Sequence, residues 1–357
     1  MHLLVDISAH GYGHLAQTAP VLNALCARAP LRLSVRSALP RAVLAKRIDA
    51  AFAHIVEARD FGFAMHNAVD IDLDASAQRY RDFHRDWPQR VAAEAEWLQA
   101  QRVDALLANA GYLPLAAAAK FGCPAVGMCS LNWADLFAHY YAAQAWAQPI
   151  HRQILAAYNS AQAFLRITPG LPMDDFAARQ IVGPIARLAP RQRAAIAATL
   201  DLDPQHRWVV IAMGGIDFPI PIADWPQTPG LTWLVPHDWN IERADIRPFD
   251  RQPIDFTQLL AGVDAVVTKP GYGTFAEAAC NGIPLLYLER PDWPETAHLV
   301  AWLERHGRCA ELTRAQLTNG DFIPQLEALW RQTAPPRPIV SGIDEAAAWL
   351  IRSFPEL

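Results

Sequence analysis

The sequence predicts an α/β protein built from two doubly wound parallel sheets, each with its own glycine turn. Three observations support this fold class. The 357 residues exceed what one ordinary core encloses, and 52% of them are apolar. Short apolar runs alternate with longer helix-forming stretches, which is typical of βαβ units. A Gly-Tyr-Gly turn follows an apolar run twice, at residues 11–13 and 271–273.

In the first half of the chain, strands are predicted where short apolar runs are bounded by Gly, Pro or Asp. Helices are predicted where Ala, Leu and aromatic residues recur at helical spacing. The predicted strands are 3–7, 31–35, 54–57, 103–108 and 125–129. The predicted helices are 15–29, 76–101 and 113–121, followed by a helical, aromatic-rich region over 134–165.

Pro and Gly are dense between residues 168 and 190, which marks a domain boundary. We therefore predict a first domain over 1–183, a second over 184–340 and a C-terminal helix over 341–357. The predicted strands of the second domain are 208–212, 231–235, 265–268 and 284–288. Its predicted helices are 256–260, 275–281 and 296–306.

Composition excludes several classes of protein. A net charge of -5 provides no basic field, which argues against nucleic acid as a partner. Five cysteines without a CxxC spacing suggest neither a disulfide framework nor a zinc site. Without an export signal or a transmembrane segment, we expect a cytoplasmic protein. The oligomeric state stays open.

In an open α/β sheet, ligands bind beyond the carboxyl ends of the strands, so both glycine turns should face one cleft. A glycine turn that leads into a helix offers free N–H groups and the positive end of the helix dipole, which suits phosphate. Neither turn matches GxxxxGK[ST] or GxGxxG, so a plain tight turn stays open. Thr274 and Glu277 fit a capping box, but Glu277 could instead contact a ribose.

Residues 261–300, AGVDAVVTKPGYGTFAEAACNGIPLLYLERPDWPETAHLV, resemble the donor-binding half of the GT-B glycosyltransferases. The shared pattern is an aspartate, a strand, a glycine turn, Thr-x-x-Glu-Ala, Gly-x-Pro and a further strand. The segments SAHGYGHLAQ and SLNWADLF also have look-alikes in the glycosyltransferase-like domain of the plant arabinokinase type. The bacterial peptidoglycan N-acetylglucosaminyltransferase is more distantly similar. The resemblance implies a GT-B fold of two Rossmann-like domains facing across a cleft, with the C-terminal helix returning to the first.

The resemblance also implies individual site residues. A phosphate-contacting turn is expected at Gly271, Tyr272, Gly273 and Thr274, with Glu277 as the ribose ligand. Further donor contacts, to phosphate, nucleobase and sugar, are expected from Gly214, Gly215, Phe249, Glu295 and His298. The acceptor-side loop is expected to comprise Gly11, Gly13 and His14.

The implied reaction is sugar transfer from a UDP-, GDP- or TDP-sugar to a small-molecule, lipid or glycan acceptor, with inversion. The nucleotide sugar is a substrate, and neither a tightly bound cofactor nor a metal is expected. His14 is the candidate base because an imidazole titrates near neutral pH, although a phosphate contact or a structural role stays open. Related transferases orient this base with an aspartate where the chain has Asn109, and Asp135 could substitute.

The sequence leaves alternatives for two segments and for the function. The aspartates Asp70, Asp72 and Asp74 could bind a metal, but we expect them to form a solvated helix start. Aromatic residues over 133–146 could form an acceptor wall, although helical spacing favours a core. The predicted function is glycosyl transfer. The alternatives are a GT-B nucleotide-sugar epimerase or hydrolase, and a non-catalytic nucleotide-sugar-binding protein.

Overall fold

The computed structural model describes residues 1–216, 218–252 and 254–354. Two parallel sheets organise the chain. The strands of the first sheet are β1 His2–Ile7, β2 Arg32–Arg36, β3 Ala53–Ile55, β4 Ala105–Asn109, β5 Ala125–Cys129, β6 Ala163–Ile167 and β7 Arg179–Val182. The strands of the second sheet are β8 Arg207–Ala212, β9 Leu231–Val235, β10 Ile246–Pro248, β11 Ala265–Thr268, β12 Leu285–Leu288 and β13 Cys309–Leu312.

The strand orders are β3-β2-β1-β4-β5-β6-β7 and β10-β9-β8-β11-β12-β13. Each order changes direction once, between β1 and β4 and between β8 and β11, and ligands of such sheets bind beyond the strand ends at this point. The first Gly-Tyr-Gly turn follows β1, whereas the second follows β11. The two turns therefore occupy opposite sides of their own switch points, and the prediction of two doubly wound sheets is confirmed.

Helices cover the faces of the two sheets, as βαβ connections require. Those of the first half are α1 Gly13–Cys26, α2 Arg41–Ala45, α3 Leu73–Arg85, α4 Trp87–Ala100, α5 Leu113–Phe121, α6 Trp133–Tyr141 and α7 Ala147–Asn159. Those of the second half are α8 Arg193–Leu200, α9 Phe256–Gly262, α10 Tyr272–Asn281, α11 Pro294–His306, α12 Arg314–Asn319, α13 Ile323–Arg331 and α14 Gly342–Ser353.

Two helix predictions need correction. The single helix expected over 76–101 is two helices, because α3 ends before Asp86 and Pro88 stands in the first turn of α4. Proline lacks an N–H group and crowds the preceding turn, so it favours the start of a helix. The region 134–165, expected to be helical, ends in strand β6, whose buried residues pair with β5.

The aromatic residues of α6 are core. Trp133 and Phe137 are fully buried, and Tyr141 is 5% exposed. They pack in one cluster with residues of α3, α5 and α7. The core interpretation of this segment is therefore correct for these three residues, and burial leaves little of their surface for an acceptor.

Helix α14 packs against α1 and β7 of the first sheet. Its residues Ala346, Leu350 and Phe354 are buried, and Asp344 pairs with Arg28 of the segment that follows α1. The chain end thus crosses back over the first sheet. Within the described ranges, no helix is both long enough and apolar enough to span a bilayer.

Candidate active site between the two sheets

The two Gly-Tyr-Gly turns meet across the cleft. A Cβ atom on Gly13 would lie 4.0 Å from the backbone nitrogen of Gly273, and one on Gly273 would lie 3.1 Å from the Cβ of Ala16. The close approach to Ala16 favours glycine at position 273, whereas the space at position 13 would admit a Cβ atom. Neither helix start, at α1 or α10, has a side-chain cap, so their first N–H groups can bind a ligand.

A second glycine loop lies beside these turns. Gly214 adopts the left-handed backbone with φ +87°, and a Cβ on Gly215 would lie 3.0 Å from the ring of Tyr12. The side chain of Lys269 passes between the loops: its Cε lies 3.5 Å from the Cβ position of Gly214. Its Nζ lies 3.6 Å from the Cβ position of Gly271. The loops therefore form a cradle that holds an ammonium group.

Lys269 lies in this cradle and Arg290 lies near enough to affect its pKa, and the sequence pattern indicated neither residue. Burial lowers the pKa of Lys269 to about 7, and repulsion from Arg290 adds to the shift. Burial also lowers the pKa of Arg290 to about 10. Arg290 donates from Nε to the carbonyl oxygen of Val69 at 3.2 Å and lies over the ring of Trp293. Within the described part of the chain neither side chain forms an ion pair, and the carboxyl of Glu295 lies near enough to oppose both pKa shifts.

His14 is 4% exposed, and its proton position follows from its neighbours. Thr18 Oγ1 donates to the backbone oxygen of His14 at 2.8 Å, so it accepts from Asn109 Nδ2 at 2.9 Å. The amide oxygen of Asn109 therefore faces His14 Nδ1, at 2.6 Å. An amide oxygen only accepts, so Nδ1 carries the proton and Nε2 keeps its lone pair.

Burial lowers the pKa of His14 to about 4, while the hydrogen bond to Asn109 opposes that shift. The neighbouring His10 has its pKa lowered to about 3 by burial and then by the charges of His14, Lys269 and Arg290. At neutral pH both imidazoles are uncharged. His14 thus has the protonation state of a general base.

The structure does not bring Asp135 to this base. Its backbone N–H donates to Asn132 Oδ1 at 2.8 Å in the first turn of α6. Burial raises the pKa of the Asp135 carboxyl, opposed by Asn132. Across residues 1–216, 218–252 and 254–354, no hydrogen bond joins Asp135 to His14, whose Nδ1 contacts only Asn109 and, at 3.6 Å, the sulfur of Cys129.

Glu277 is 2% exposed, and its carboxylate pairs with Arg47, which follows α2 in the first half of the chain. Arg47 Nη1 donates to Oε1, and Nη2 lies 3.3 Å from Oε2. Helix α10 begins at Tyr272 with Gly271 as its N-cap, which places Thr274 in the first turn and Glu277 in the second. The capping-box interpretation of these two residues is therefore wrong.

The side chain of Tyr272 points away from the glycine turns. Its hydroxyl accepts from the backbone nitrogen of Ile185 at 2.8 Å and lies 3.2 Å from the carbonyl oxygen of Thr168. Thr168 directly follows β6, and Ile185 lies shortly beyond β7. Only the backbone of Tyr272 can therefore contact a ligand in the cleft.

The residues expected to contact the donor sugar and the nucleobase lie at separate places. Glu295 is 4% exposed and accepts from Ser130 Oγ at 2.6 Å, across the cleft. His298, one turn later on α11, is exposed. Phe249 extends β10, and its N–H donates to Val235 at 3.0 Å, so this N–H is committed to the sheet and the ring packs against Phe256.

Two residues of the aspartate triplet, Asp72 and Asp74, form a helix start, as expected. Asp72 caps α3 by accepting from the nitrogen of Ala75 at 2.9 Å, and Asp74 lies in the first turn. Asp70 instead pairs with Arg314 of the second half, a contact that the sequence did not indicate. This ion pair, the Arg47–Glu277 ion pair and the Ser130–Glu295 hydrogen bond all join the two halves of the chain across the cleft.

The sequence of the chain has little similarity to known proteins. No family model matches the chain. The L-arabinokinase of Arabidopsis thaliana is 24% identical over 327 residues, which cover 90% of this chain but only 31% of that protein. The chain thus spans about a third of the relative's length.

Solved structures match over the full length. A spinosyn rhamnosyltransferase complexed with thymidine diphosphate superposes with a TM-score of 0.56 at 17% identity, covering 100% of this chain and 96% of the other. A putative UDP-N-acetylglucosamine 2-epimerase from Listeria monocytogenes superposes with a TM-score of 0.58 at 12% identity, covering 100% and 97%. At these identities the comparison shows the fold, which is GT-B, as the sequence predicts.

Proposed function

We propose that this chain is a glycosyltransferase, which moves a sugar from a nucleoside diphosphate to a hydroxyl group of an acceptor. The observation that carries this proposal is the meeting of the two glycine turns. Beside these turns, Lys269 lies close enough to the neutral imidazole of His14 for its charge to lower the pKa of His14. Arg290 in turn lowers the pKa of Lys269. Glycosyl transfer to a hydroxyl needs this combination, a base beside a site for the departing anion.

The donor would bind on the side of the second sheet. The diphosphate would lie against the uncapped start of α10, the loop of Gly214 and Gly215, and Lys269. Glu277 would accept bonds from the ribose once Arg47 moves aside. The nucleobase of the donor would pack near Phe249, and its sugar would contact Glu295 and His298. A UDP-, GDP- or TDP-sugar has the anionic and diol groups that these residues recognise.

The reaction follows from these positions. The acceptor oxygen bonds to the anomeric carbon while the bond from that carbon to the β-phosphate oxygen breaks, which inverts the configuration. The acceptor proton passes to His14 Nε2. Lys269, Arg290 and the N-terminus of α10 stabilise the negative charge left on the diphosphate. We propose that these groups serve in place of a bound metal.

Asn109 affects how well this base works. Its amide oxygen holds the Nδ1–H bond of His14 but carries no charge, so it stabilises the imidazolium less than a carboxylate would. The negative charge of a bound diphosphate would compensate in part. We expect a weak base that takes the proton late, after the new bond has largely formed.

A second candidate is epimerisation or hydrolysis of the same donor, which the similarity to the putative 2-epimerase supports. A third is a nucleotide-sugar-binding protein without catalysis, which the neutral Asn109 supports. All three share the donor site and differ in what happens to the sugar, so product analysis separates them.

The test begins with thermal shift on UDP-, GDP-, TDP- and ADP-sugars, because a ligand at about 100 times its Kd adds about 2.7 kcal/mol of stability. Release of the nucleoside diphosphate is then followed with and without a mixture of hydroxyl acceptors. Transfer predicts release that depends on the acceptor and a glycosylated product. His14→Ala should lower kcat by about 10² to 10⁴ while donor affinity stays the same.

Other products contradict transfer. Free sugar in the absence of acceptor identifies a hydrolase, and an isomerised nucleotide sugar identifies an epimerase. Binding without turnover identifies the non-catalytic protein. Gln153→Ala is the matched control, since it removes a hydrogen bond to His84 Nδ1, 2.7 Å long, within the first domain and outside the candidate site.

A further inference from the structure

A line of buried hydrogen bonds connects His14 to Glu295 across the cleft. Asn109 Oδ1 lies 2.6 Å from His14 Nδ1, and Asn109 Nδ2 lies 3.4 Å from Gln17 Oε1. Gln17 Nε2 donates to Ser130 Oγ at 2.8 Å, and Ser130 Oγ donates to Glu295 Oε1 at 2.6 Å. The line thus begins at the proposed base and ends at the residue proposed to contact the donor sugar.

Every bond in this line has a determined direction. Burial raises the pKa of Glu295, opposed by its hydrogen bond to Ser130; as a carboxylate it accepts the hydroxyl proton of Ser130, so the Ser130 oxygen must accept from Gln17 Nε2. Gln17 Oε1 then faces the backbone nitrogen of Ser130, at 3.3 Å, and Asn109 Nδ2. Reversing Gln17 would set its Nε2 against the N–H groups of Ser130 and Asn109, and reversing Asn109 would set its Oδ1 against Gln17 Oε1. The arrangement therefore has one consistent state.

The members of the line are shielded from water. Asn109 and Ser130 are fully buried, Gln17 is 2% exposed and Glu295 is 4% exposed. A buried polar group that loses its partner costs free energy, so these groups hold one another in place. Ser130 and Glu295 stand on opposite sides of the cleft, so the line is complete only when the cleft is closed.

We propose that Gln17 and Ser130 are positioning residues that align the His14 base with the donor-sugar carboxylate Glu295 when the cleft closes. The proposal rests on the proposed function and adds how closure is linked to catalysis. While the cleft is open, Ser130 Oγ loses its acceptor on Glu295 and Gln17 Nε2 loses a fixed partner, whereas Thr18 still holds Asn109. Base and donor are thus brought into alignment by one event.

The first test separates binding from turnover with Ser130→Ala. We expect kcat for the active nucleotide sugar to fall about 10- to 100-fold, because a hydrogen bond to a charged group is lost from the aligned state. The Kd for UDP or TDP should change less than about threefold, since Ser130 lies outside the proposed phosphate cradle. Ser130→Thr keeps the hydroxyl and should recover most of kcat, and Gln153→Ala should behave as wild type.

The second test needs no donor. The melting temperatures of Ser130→Ala, Glu295→Ala and the double variant report whether the bond across the cleft exists in solution. If it does, the double variant melts near the less stable single variant, because each change removes the same bond. Shifts that add up would overturn the proposal.

The outcomes distinguish the two ideas. An active wild type with an equally active Ser130→Ala variant contradicts the positioning role and leaves glycosyl transfer standing. Parallel losses of kcat and of UDP or TDP affinity contradict it as well, because they indicate a binding role. A wild type that consumes no nucleotide sugar contradicts the proposed function, and the melting cycle still decides whether Ser130 and Glu295 are coupled.

Discussion

The buried imidazole of His14 should make the stability of the protein depend on pH in a way that one substitution removes. The side chain is 4% exposed, and its pKa is lowered from 6.5 to about 4, chiefly by burial. In the unfolded chain the same imidazole binds a proton near pH 6.5. Acidification from 7 therefore favours the unfolded state, and the effect is complete once the pH falls below about 4.

The size of the effect follows from this difference. One pKa unit corresponds to about 1.36 kcal/mol. Between pH 7 and pH 5 the folded imidazole stays neutral while the unfolded one becomes charged, so His14 should cost about 2 kcal/mol of unfolding free energy over that interval. His10, whose pKa is lowered to about 3, acts in the same direction and persists in a His14 variant.

The assay is urea unfolding of the wild type and of His14→Gln at pH 7 and pH 5. The variant should lose about 2 kcal/mol less than the wild type between the two pH values, because its side chain at position 14 does not titrate. When the loss of unfolding free energy in the variant is subtracted from that in the wild type, the contributions of His10 and of the carboxyl groups cancel. Equal losses in the two proteins would refute the reasoning, since they would mean that His14 titrates alike in the folded and unfolded states.

Glu277→Ala should abolish a preference for UDP over 2′-deoxy-UDP that we expect to be about tenfold or more in the wild type, because a bond to a carboxylate is worth about 1.5 to 3 kcal/mol; calorimetry giving equal ratios in both proteins would remove Glu277 from ribose recognition. In the wild type, UDP affinity should decline between pH 7 and pH 9, because Lys269, whose pKa lies at about 7, loses its charge over that interval. Lys269→Met should abolish this decline, and a wild-type UDP affinity that does not change with pH would contradict the prediction. Asn109→Asp should raise the pKa of His14 by about 1 to 3 units, and the acid limb of the turnover profile should move to higher pH; an unmoved limb would exclude His14 as the base.

The sequence by itself determined both glycine turns and what surrounds them. An apolar run, a glycine turn and a helix-forming stretch are local signals, and backbone sterics act over the same few residues. The helix at 113–121 and the strands at 125–129 and 265–268 therefore lie where the pattern predicts them. The meeting of the turns was predictable too, since ligand loops gather beyond the carboxyl ends of parallel strands.

Tertiary structure decided what each side chain does at the site. Glu277 finds Arg47 across 230 residues of chain, and Ser130 finds Glu295 across 165, distances over which no local pattern acts. Lys269 is recognised as a site residue only from its burial beside Arg290 in the folded structure. Asp135 is excluded from the site because it does not contact His14. A local pattern encodes backbone conformation, whereas burial, charge coupling and hydrogen-bond partners arise only when the two sheets close on each other.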